Sequence, residues 1–495
     1  MVKANQTEIF VNDDGQIINH TENLLKLSDL KDKMIDTYKD TPLTTLLWSV
    51  GGHEVYDYET EIGERIGDGY ENPDESTKTR AANLKSLIKD CGGPVTGLSK
   101  LCHEAGIKFF PSLRMNEHYE IDIDSPTYGR FRREHPHLLI GKPGETLQKG
   151  SLEHGIRTGM DFAFTEVRNH RLGIITELVE NFDIDGIELD WFRHPAFFRV
   201  EEAYDNRHLA TDLIKKAKDK IDNVIKSTGR TVKLAVRVPP TLYDSARIGL
   251  DVEEWIKKEL VDIVIAGGGF IPYSTPIDEF INAAKNTDIK ILGCIERLRP
   301  TKDDDEFRGI AYQYLSKKSD GIYLFNYHGI DTKWKHTMLN EIADLDSLKG
   351  RNKKYQIDNF TRRNYYSQLG AAFSNAIPEV QLPITFDNYA SKLDLSISIP
   401  EPVSNQASAK VKLSVSINVE NLPKPNKIYL KINNNLPELV RETTSEDNSE
   451  RIFLFNGNHI NNQNNLQIGL DAQQGSNSCN KPTITGLSVH LDYNN

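Results

Sequence analysis

No run of about 18 apolar residues occurs in this chain, so nothing in it reads as a helix that crosses a membrane. Cysteine is scarce as well: four in 495 residues make no disulfide framework. Cys91 and Cys102 are close enough in sequence to pair, although free thiols are the expected state, and Cys294 reads as a small core residue within an apolar strand. An excess of positive charge is also missing. The formal net charge of -12 argues against a general affinity for nucleic acid or for anionic membranes. The residues from Met1 to Thr7 lack the apolar core of a leader peptide, so the chain is either cytoplasmic or has lost its leader; an extracellular or periplasmic location is the expectation. No metal-type spacing appears. No cofactor is implied either, because Gly267-Gly268-Gly269 lacks the lysine and serine or threonine of a phosphate loop.

What is present is a regular alternation. Apolar runs at 43–52, 107–114, 158–162, 183–194, 232–238, 262–268, 288–296 and 320–328 read as eight strands. Segments of helical period separate most of them, for example Leu172, Ile175, Leu178 and Val179 within 166–181, or Leu209, Leu213, Ile214, Ala217 and Ile221 ahead of Gly229. Aspartates recur just before strands, at Asp185, Asp262, Asp288 and Asp320. Strands and helices in this order predict an α/β fold, a (β/α)8 TIM barrel. After Gly350 the texture changes to short runs of alternating polarity, such as 393–399, 411–419 and 487–493, which predict an all-β sandwich. The expected organisation is an N-terminal extension over 1–42, the barrel over 43–350, a connector over 351–378 and a β-sandwich accessory domain over 379–495. The sandwich lacks an aromatic stripe, which favours bracing of the barrel over glycan binding.

Barrel enzymes place their chemistry at the C-terminal ends of the strands. The polar residues expected there are Trp48, Arg114, Asn116, Glu117, His118, Asp161, Glu188, Asp190, Arg193, His194, Arg237, Glu296, Asn326, Tyr327 and His328. Glu188 and Asp190 are two apart on one strand and share a face, with Ile187, Leu189 and Trp191 on the other. Two carboxylates across a pocket can cleave a glycosidic bond, one protonating the leaving oxygen while the other attacks the sugar or activates water. Asp190 as acid/base and Glu296 as nucleophile form the expected pair. A bland surface pairing of Glu296 with Arg297 or Arg299 is the competing reading. Glu188 and Asp190, ~6.6 Å apart along the strand, are themselves a candidate catalytic pair, but Glu188 is rather expected one layer deeper, paired to Arg237 or Arg114 and orienting Asp190. The arginines and histidines suit an anionic sugar, or balance the neighbouring acids. Trp48, Trp191, Tyr243 and Tyr327 suit stacking on sugar rings, or core packing.

Three segments carry a resemblance: Phe110-Pro111-Ser112-Leu113-Arg114-Met115-Asn116, Glu166-Val167-Arg168, and Asp185-Gly186-Ile187-Glu188-Leu189-Asp190-Trp191-Phe192-Arg193. Together they resemble bacterial TIM-barrel proteins of glycoside-hydrolase type, over roughly residues 43–345. Many of those carry a C-terminal sandwich, and some relatives act on sulfated marine polysaccharides such as carrageenan or fucan. The resemblance implies a polysaccharide- or oligosaccharide-degrading hydrolase, with retaining chemistry as the expectation. A looser likeness to chitinase-type barrels stops at Phe192, which stands where those carry a catalytic glutamate. A non-catalytic carbohydrate-binding barrel and a polysaccharide lyase are the alternatives.

Overall fold

The computed structural model describes residues 7–19, 24–51, 54–70, 73–268, 275–296, 303–359, 372, 375–376, 380–387, 391–401, 411–422, 427–444, 449–471 and 481–493. Eight parallel strands close into a barrel: β1 (Glu8–Asp13), β2 (Thr45–Ser49), β3 (Lys108–Arg114), β4 (Gly186–Asp190), β5 (Lys233–Val238), β6 (Ile263–Ala266), β7 (Lys290–Glu296) and β8 (Gly321–Phe325). Each pairs with its neighbours in sequence, and β1 closes the ring between β8 and β2.

Seven of these strands stand where the apolar runs predict them, and one does not. Residues 158–162 form no barrel strand; Met160 makes only a single bridge to Leu139. The eighth place belongs to Glu8–Asp13, within the stretch expected to be an extension ahead of the barrel, so the barrel starts well before residue 43. Its run Ile9-Phe10-Val11 is short and flanked by acids, which conceals it among polar sequence. The turn-rich Asn12-Asp13-Asp14-Gly15 that ends it is the signal that marks it.

The leading aspartates acquire a physical role. Asp185, Asp262 and Asp320 each accept a hydrogen bond from the backbone N–H of the strand before: Phe109 on β3 at 2.9 Å, Leu234 on β5 at 2.9 Å and Ile291 on β7 at 2.8 Å. Thr44 does the same for Ile9 on β1, at 3.1 Å through Oγ1. In all four cases the backbone N–H of the leading residue returns the bond to the carbonyl of the residue it holds, at 2.8 to 3.2 Å. Even-numbered strands thus staple the lower ends of odd-numbered ones, satisfying donors that the ladder leaves over. Asp288, before an odd strand, makes no such staple and lines a cavity of about 280 Å³ at this lower end, with Glu8, Lys108, Lys233 and Lys290.

Inward-facing residues fill the lower barrel, among them Phe10, Leu47, Phe110, Ala235, Ile263, Ile265, Leu292 and Cys294. Outward-facing ones join the larger core beneath the helices, which include Glu75–Cys91, Thr165–Asn181, Arg207–Thr228 and Asp304–Ser316. Cys91, Cys102 and Cys294 are free thiols. Among the described residues no helix is long and apolar enough to cross a membrane.

The C-terminal strands build two antiparallel sheets. The larger contains Lys353–Gln356, Ile384–Thr385, Val411–Glu420, Leu439–Thr444, Ser449–Asn456 and Thr483–Tyr493; the smaller contains Lys392–Ser398, Lys427–Ile432 and Gln463–Asp471. Alternate residues such as Val415, Ile417, Leu430, Ile468 and Val489 form their common core. Lys353–Gln356 lies in the stretch expected to be a connector, yet it pairs in register with Thr483–Tyr493, so the sandwich begins inside that connector. The same strand meets the barrel helix Asp304–Ser316, where Gln356 donates to Glu306 at 2.6 Å and Lys354 pairs with Asp303 at 3.3 Å. His490 pairs with Asp305 at 2.7 Å and Gln313 donates to the Ser398 carbonyl at 2.9 Å. Most of the rest of the expected connector, 360–371 and 373–374 included, lies outside the described residues.

Candidate active site

Register decides what meets at the upper end of the barrel. Asp190 on β4 is paired with Arg237 on β5, and both point inward. The guanidinium grips the carboxylate with two hydrogen bonds, Nε to Oδ1 at 2.9 Å and Nη2 to Oδ2 at 2.8 Å. Oδ1 also accepts the backbone N–H groups of Phe192 and Arg193, each at 3.0 Å. Oδ1 is therefore saturated, while Oδ2 carries one donor and keeps a lone pair available. The Arg237 guanidinium lies 3.7 Å from the centre of the Phe325 ring on β8. Burial works against its charge, but Asp190 outweighs this and holds it above its ordinary range.

Glu188 lies one inward position lower and is not paired with Arg237 or Arg114 as expected. Its carboxyl oxygens have no hydrogen-bond partner in good geometry. Burial first, and the nearby Asp190 second, push its carboxyl up to about 7; Arg237 and the hydroxyls of Ser112 and Tyr323 only partly oppose this. Arg114 instead bridges to Asp14, just past β1. Burial and the repulsion of Arg193 lower Arg114 to about 10. Glu296 ends β7 with 3% exposure, in register with Phe325. Arg297 and Arg299, its bland surface partners, lie outside the described residues.

Beyond β3 and β4 a polar cluster continues the wall. His194 and Glu117 meet at 3.2 Å with both side chains 1% exposed. His118 packs edge-on against His194 and Tyr119. Arg193 donates to the Tyr119 hydroxyl at 2.8 Å. His328 is half-buried and electrostatically coupled to Asp13 at the end of β1, while Asn326 is buried in the left-handed region at φ 59. Asp13, Asp14 and Tyr119 are the residues that the sequence expectation omits, whereas Glu117 is expected at the mouth. The first two follow from the unrecognised first strand.

Four expected contacts with sugar have other duties. Trp48 is outward-facing and buried in the shell beneath the helices. Trp191 packs on Phe197, Phe162 and Trp255, with ring centres 4.9, 5.7 and 5.9 Å away. Both follow from the alternation that turns Asp190 inward. Tyr327 lies against Phe307 and Trp334. Asn116 is a clamp: its amide bonds the Met160 and Ala196 carbonyls, and its oxygen accepts from Met160 and Glu117. Tyr243, by contrast, is 70% exposed.

No family model matches this chain, and no curated protein matches it. Among solved structures it is similar to the endo-beta-1,4-mannanase from Thermotoga petrophila, at 11% identity and a TM-score of 0.44, over 99% of this chain and 98% of that one. It is similar also to alpha-L-fucosidase isoenzyme 2 from Paenibacillus thiaminolyticus, at 10% identity and a TM-score of 0.41, over 74% and 49%. A third is the GH36 alpha-galactosidase from Geobacillus stearothermophilus, at 9% identity and a TM-score of 0.39, over 98% and 55%. The chain thus spans about half the length of the fucosidase and of the galactosidase. All three neighbours are glycoside hydrolases by name; the closed parallel barrel of this chain rests on its own strand pairing.

Proposed function

We propose that the chain is a glycoside hydrolase whose reaction takes place at the upper mouth of the barrel. The observation that supports this reading best is the Asp190–Arg237 pair, a fixed carboxylate at the end of a barrel strand with one oxygen left open. In this proposal the two acids exchange the roles expected from sequence. Asp190 accepts four hydrogen bonds, two of them from a guanidinium, which fix its carboxylate in one orientation with Oδ2 toward the mouth. Asp190 therefore suits the nucleophile, and Glu296 the acid/base.

In this reading Asp190 Oδ2 attacks the anomeric carbon while Glu296 gives its proton to the leaving glycosidic oxygen. Glu296, now ionised, takes a proton from water, whose oxygen displaces Asp190 and restores both groups. Two inversions give overall retention. Arg114, Arg193, His118 and His194 stand along the β3–β4 wall, where a sulfate or carboxylate substituent would find donors, so an anionic polysaccharide is the proposed substrate class. Such a polymer would be met outside the cytoplasm, in line with an extracellular or periplasmic location.

The test is reducing-sugar release from a panel of neutral and sulfated glycans, with Asp190→Asn and Glu296→Gln alongside. Loss of activity in both variants, and a product first released with the substrate's anomeric configuration, is expected. Wild-type turnover in either variant removes its assignment. Binding without turnover supports the non-catalytic alternative, and products absorbing in the ultraviolet support a lyase.

A further inference from the structure

Glu188 is the acid that the reaction above does not use. It faces the barrel axis with 0% exposure, flanked in register by Ser112 on β3 and Ala235 on β5. Ala235 is too short to offer it anything. The groups that face this level from the other strands are few. They are Asn12 from β1, Leu47 from β2, Ile265 from β6, Cys294 from β7 and Tyr323 from β8, with Arg114 above Ser112 on β3. Arg114 is engaged by Asp14, and the hydroxyl of Tyr323 has no hydrogen-bond partner.

Among the described residues Arg237 is the cation that acts most on Glu188, and it serves two acids. Its Nε and Nη2 are both committed to Asp190, while the Ser112 and Tyr323 hydroxyls near Glu188 make no hydrogen bond of good geometry to either of its oxygens. Arg114 also acts on Asp190 but is engaged by Asp14, so Arg237 is the guanidinium in hydrogen-bond contact with this pair of acids, and a buried, unpaired carboxylate is far costlier than a carboxylic acid. The pair with its neighbour below is therefore electrically complete only when it holds one proton. Geometry says which acid holds it: Asp190 has four donors and no room for a fifth on Oδ1, whereas Glu188 has only the Ser112 and Tyr323 hydroxyls nearby, neither in good geometry.

We propose that Glu188 is a positioning residue that must stay protonated, so that Arg237 remains wholly on Asp190 and keeps Oδ2 aimed at the mouth. When Glu188 loses its proton, a second anion competes for the same guanidinium from below, and the grip on Asp190 loosens. The raised carboxyl of Glu188 places this event near neutral pH, so the activity should fall on the alkaline side through Glu188 even though Glu188 touches no substrate. The consequence for catalysis rests on the glycosidase reading; the protonation itself does not.

Three measurements test it, and two need no substrate. Infrared titration of the wild-type protein should show a buried carboxylic C=O band that disappears as pH rises through neutrality and is absent from Glu188→Gln. No such band, or one that survives the substitution, overturns the proposal. Thermal unfolding from about pH 5 to about pH 8 gives the second reading. Native Glu188 holds its proton to higher pH than the unfolded chain does, so wild-type stability falls across this window. Glu188→Gln, a neutral isostere, should escape the fall, and its Tm should gain on the wild type as pH rises. A Tm difference independent of pH overturns it. In the kinetic arm, Glu188→Gln should keep kcat within about threefold at the acid side and lose the alkaline limb, with KM unchanged. An alkaline limb retained in Glu188→Gln overturns the positioning role. A wild-type protein that cleaves no glycan removes the glycosidase reading and leaves the first two measurements to decide on the proton.

Discussion

Asp190 and Arg237, on adjacent strands and directly in register, form a bidentate ion pair of 2.9 and 2.8 Å with 1% and 0% of their side chains exposed. Desolvation makes such a pair a weak source of net stability but a severe liability when one member is removed.

Arg237→Met is accordingly expected to destabilise the barrel by about 3–5 kcal/mol, because it leaves Asp190 charged and alone in the lumen. Urea unfolding measures this. Adding Asp190→Asn to Arg237→Met should recover part of the loss, since the remaining partner is then neutral. A double variant as unstable as the sum of the singles would mean that the two side chains are not coupled.

Gly268, two residues past the end of β6, packs against the same arginine. Its φ is +88, and a Cβ there would stand 2.7 Å from Cys294 Sγ and 3.1 Å from Arg237 Nη1. Gly268→Ala is expected to cost about 1–3 kcal/mol in backbone strain. It should also lower kcat more than it raises KM, because the displaced group holds Asp190 rather than the sugar. Paired unfolding and steady-state kinetics separate the two effects.

A second buried ion pair, outside the barrel, sets acid stability. Glu54 accepts from His170 at 2.7 Å and is paired to Arg171. Burial opposes ionisation, but Arg171 and His170 prevail and hold Glu54 at about 2. A depressed acid adds stability above its unfolded value of 4.5 and loses it as pH falls toward 2. The wild type should therefore shed about 3 kcal/mol from this group over that interval, and Glu54→Gln should lose much less there. Denaturation series at pH values bracketing the interval provide the comparison.

Asn116→Ala should destabilise by about 2–4 kcal/mol, because two buried carbonyls and two N–H groups lose their partner at once. Activity should vanish with it, since the clamp joins the ends of β3 and β4 to residue 160. Asn116→Asp is expected to be no better: it presents an anion to the Met160 and Ala196 carbonyls. Proteolysis of the loop from 115 to 160 would report its release.

Much of this was legible in the sequence, and the failures have physical causes. Seven barrel strands are written as apolar runs, four of them with leading aspartates. The first is missed because Ile9-Phe10-Val11 lies among acids, and the false one at 158–162 because Met160 and Phe162 are buried by loop packing instead of by a ladder. Alternation along β4 correctly turned Glu188 and Asp190 inward and Trp191 outward, which already argued against Trp191 as a sugar platform. What the sequence could not convey is which acid Arg237 would choose. That depends on register between strands whose residues lie 47 positions apart. The segments that carried the family resemblance also mix duties: Asn116 and Arg168 tie loops to backbone carbonyls, while Asp190 and Arg193 line the mouth.

The staples at the lower end act on that choice from a distance. Asp185 binds β3 through its carboxylate, which accepts from Phe109, and β5 through its own carbonyl, which accepts from Lys233 at 2.9 Å. One residue therefore sets the axial phase of three consecutive strands. A slip of a single residue in β5 would turn Arg237 out into the helical shell and Val236 in toward Asp190. The spacing on which the mouth depends is thus gauged at the floor, so a substitution at Asp185 should be felt first in the chemistry at the opposite end of the barrel.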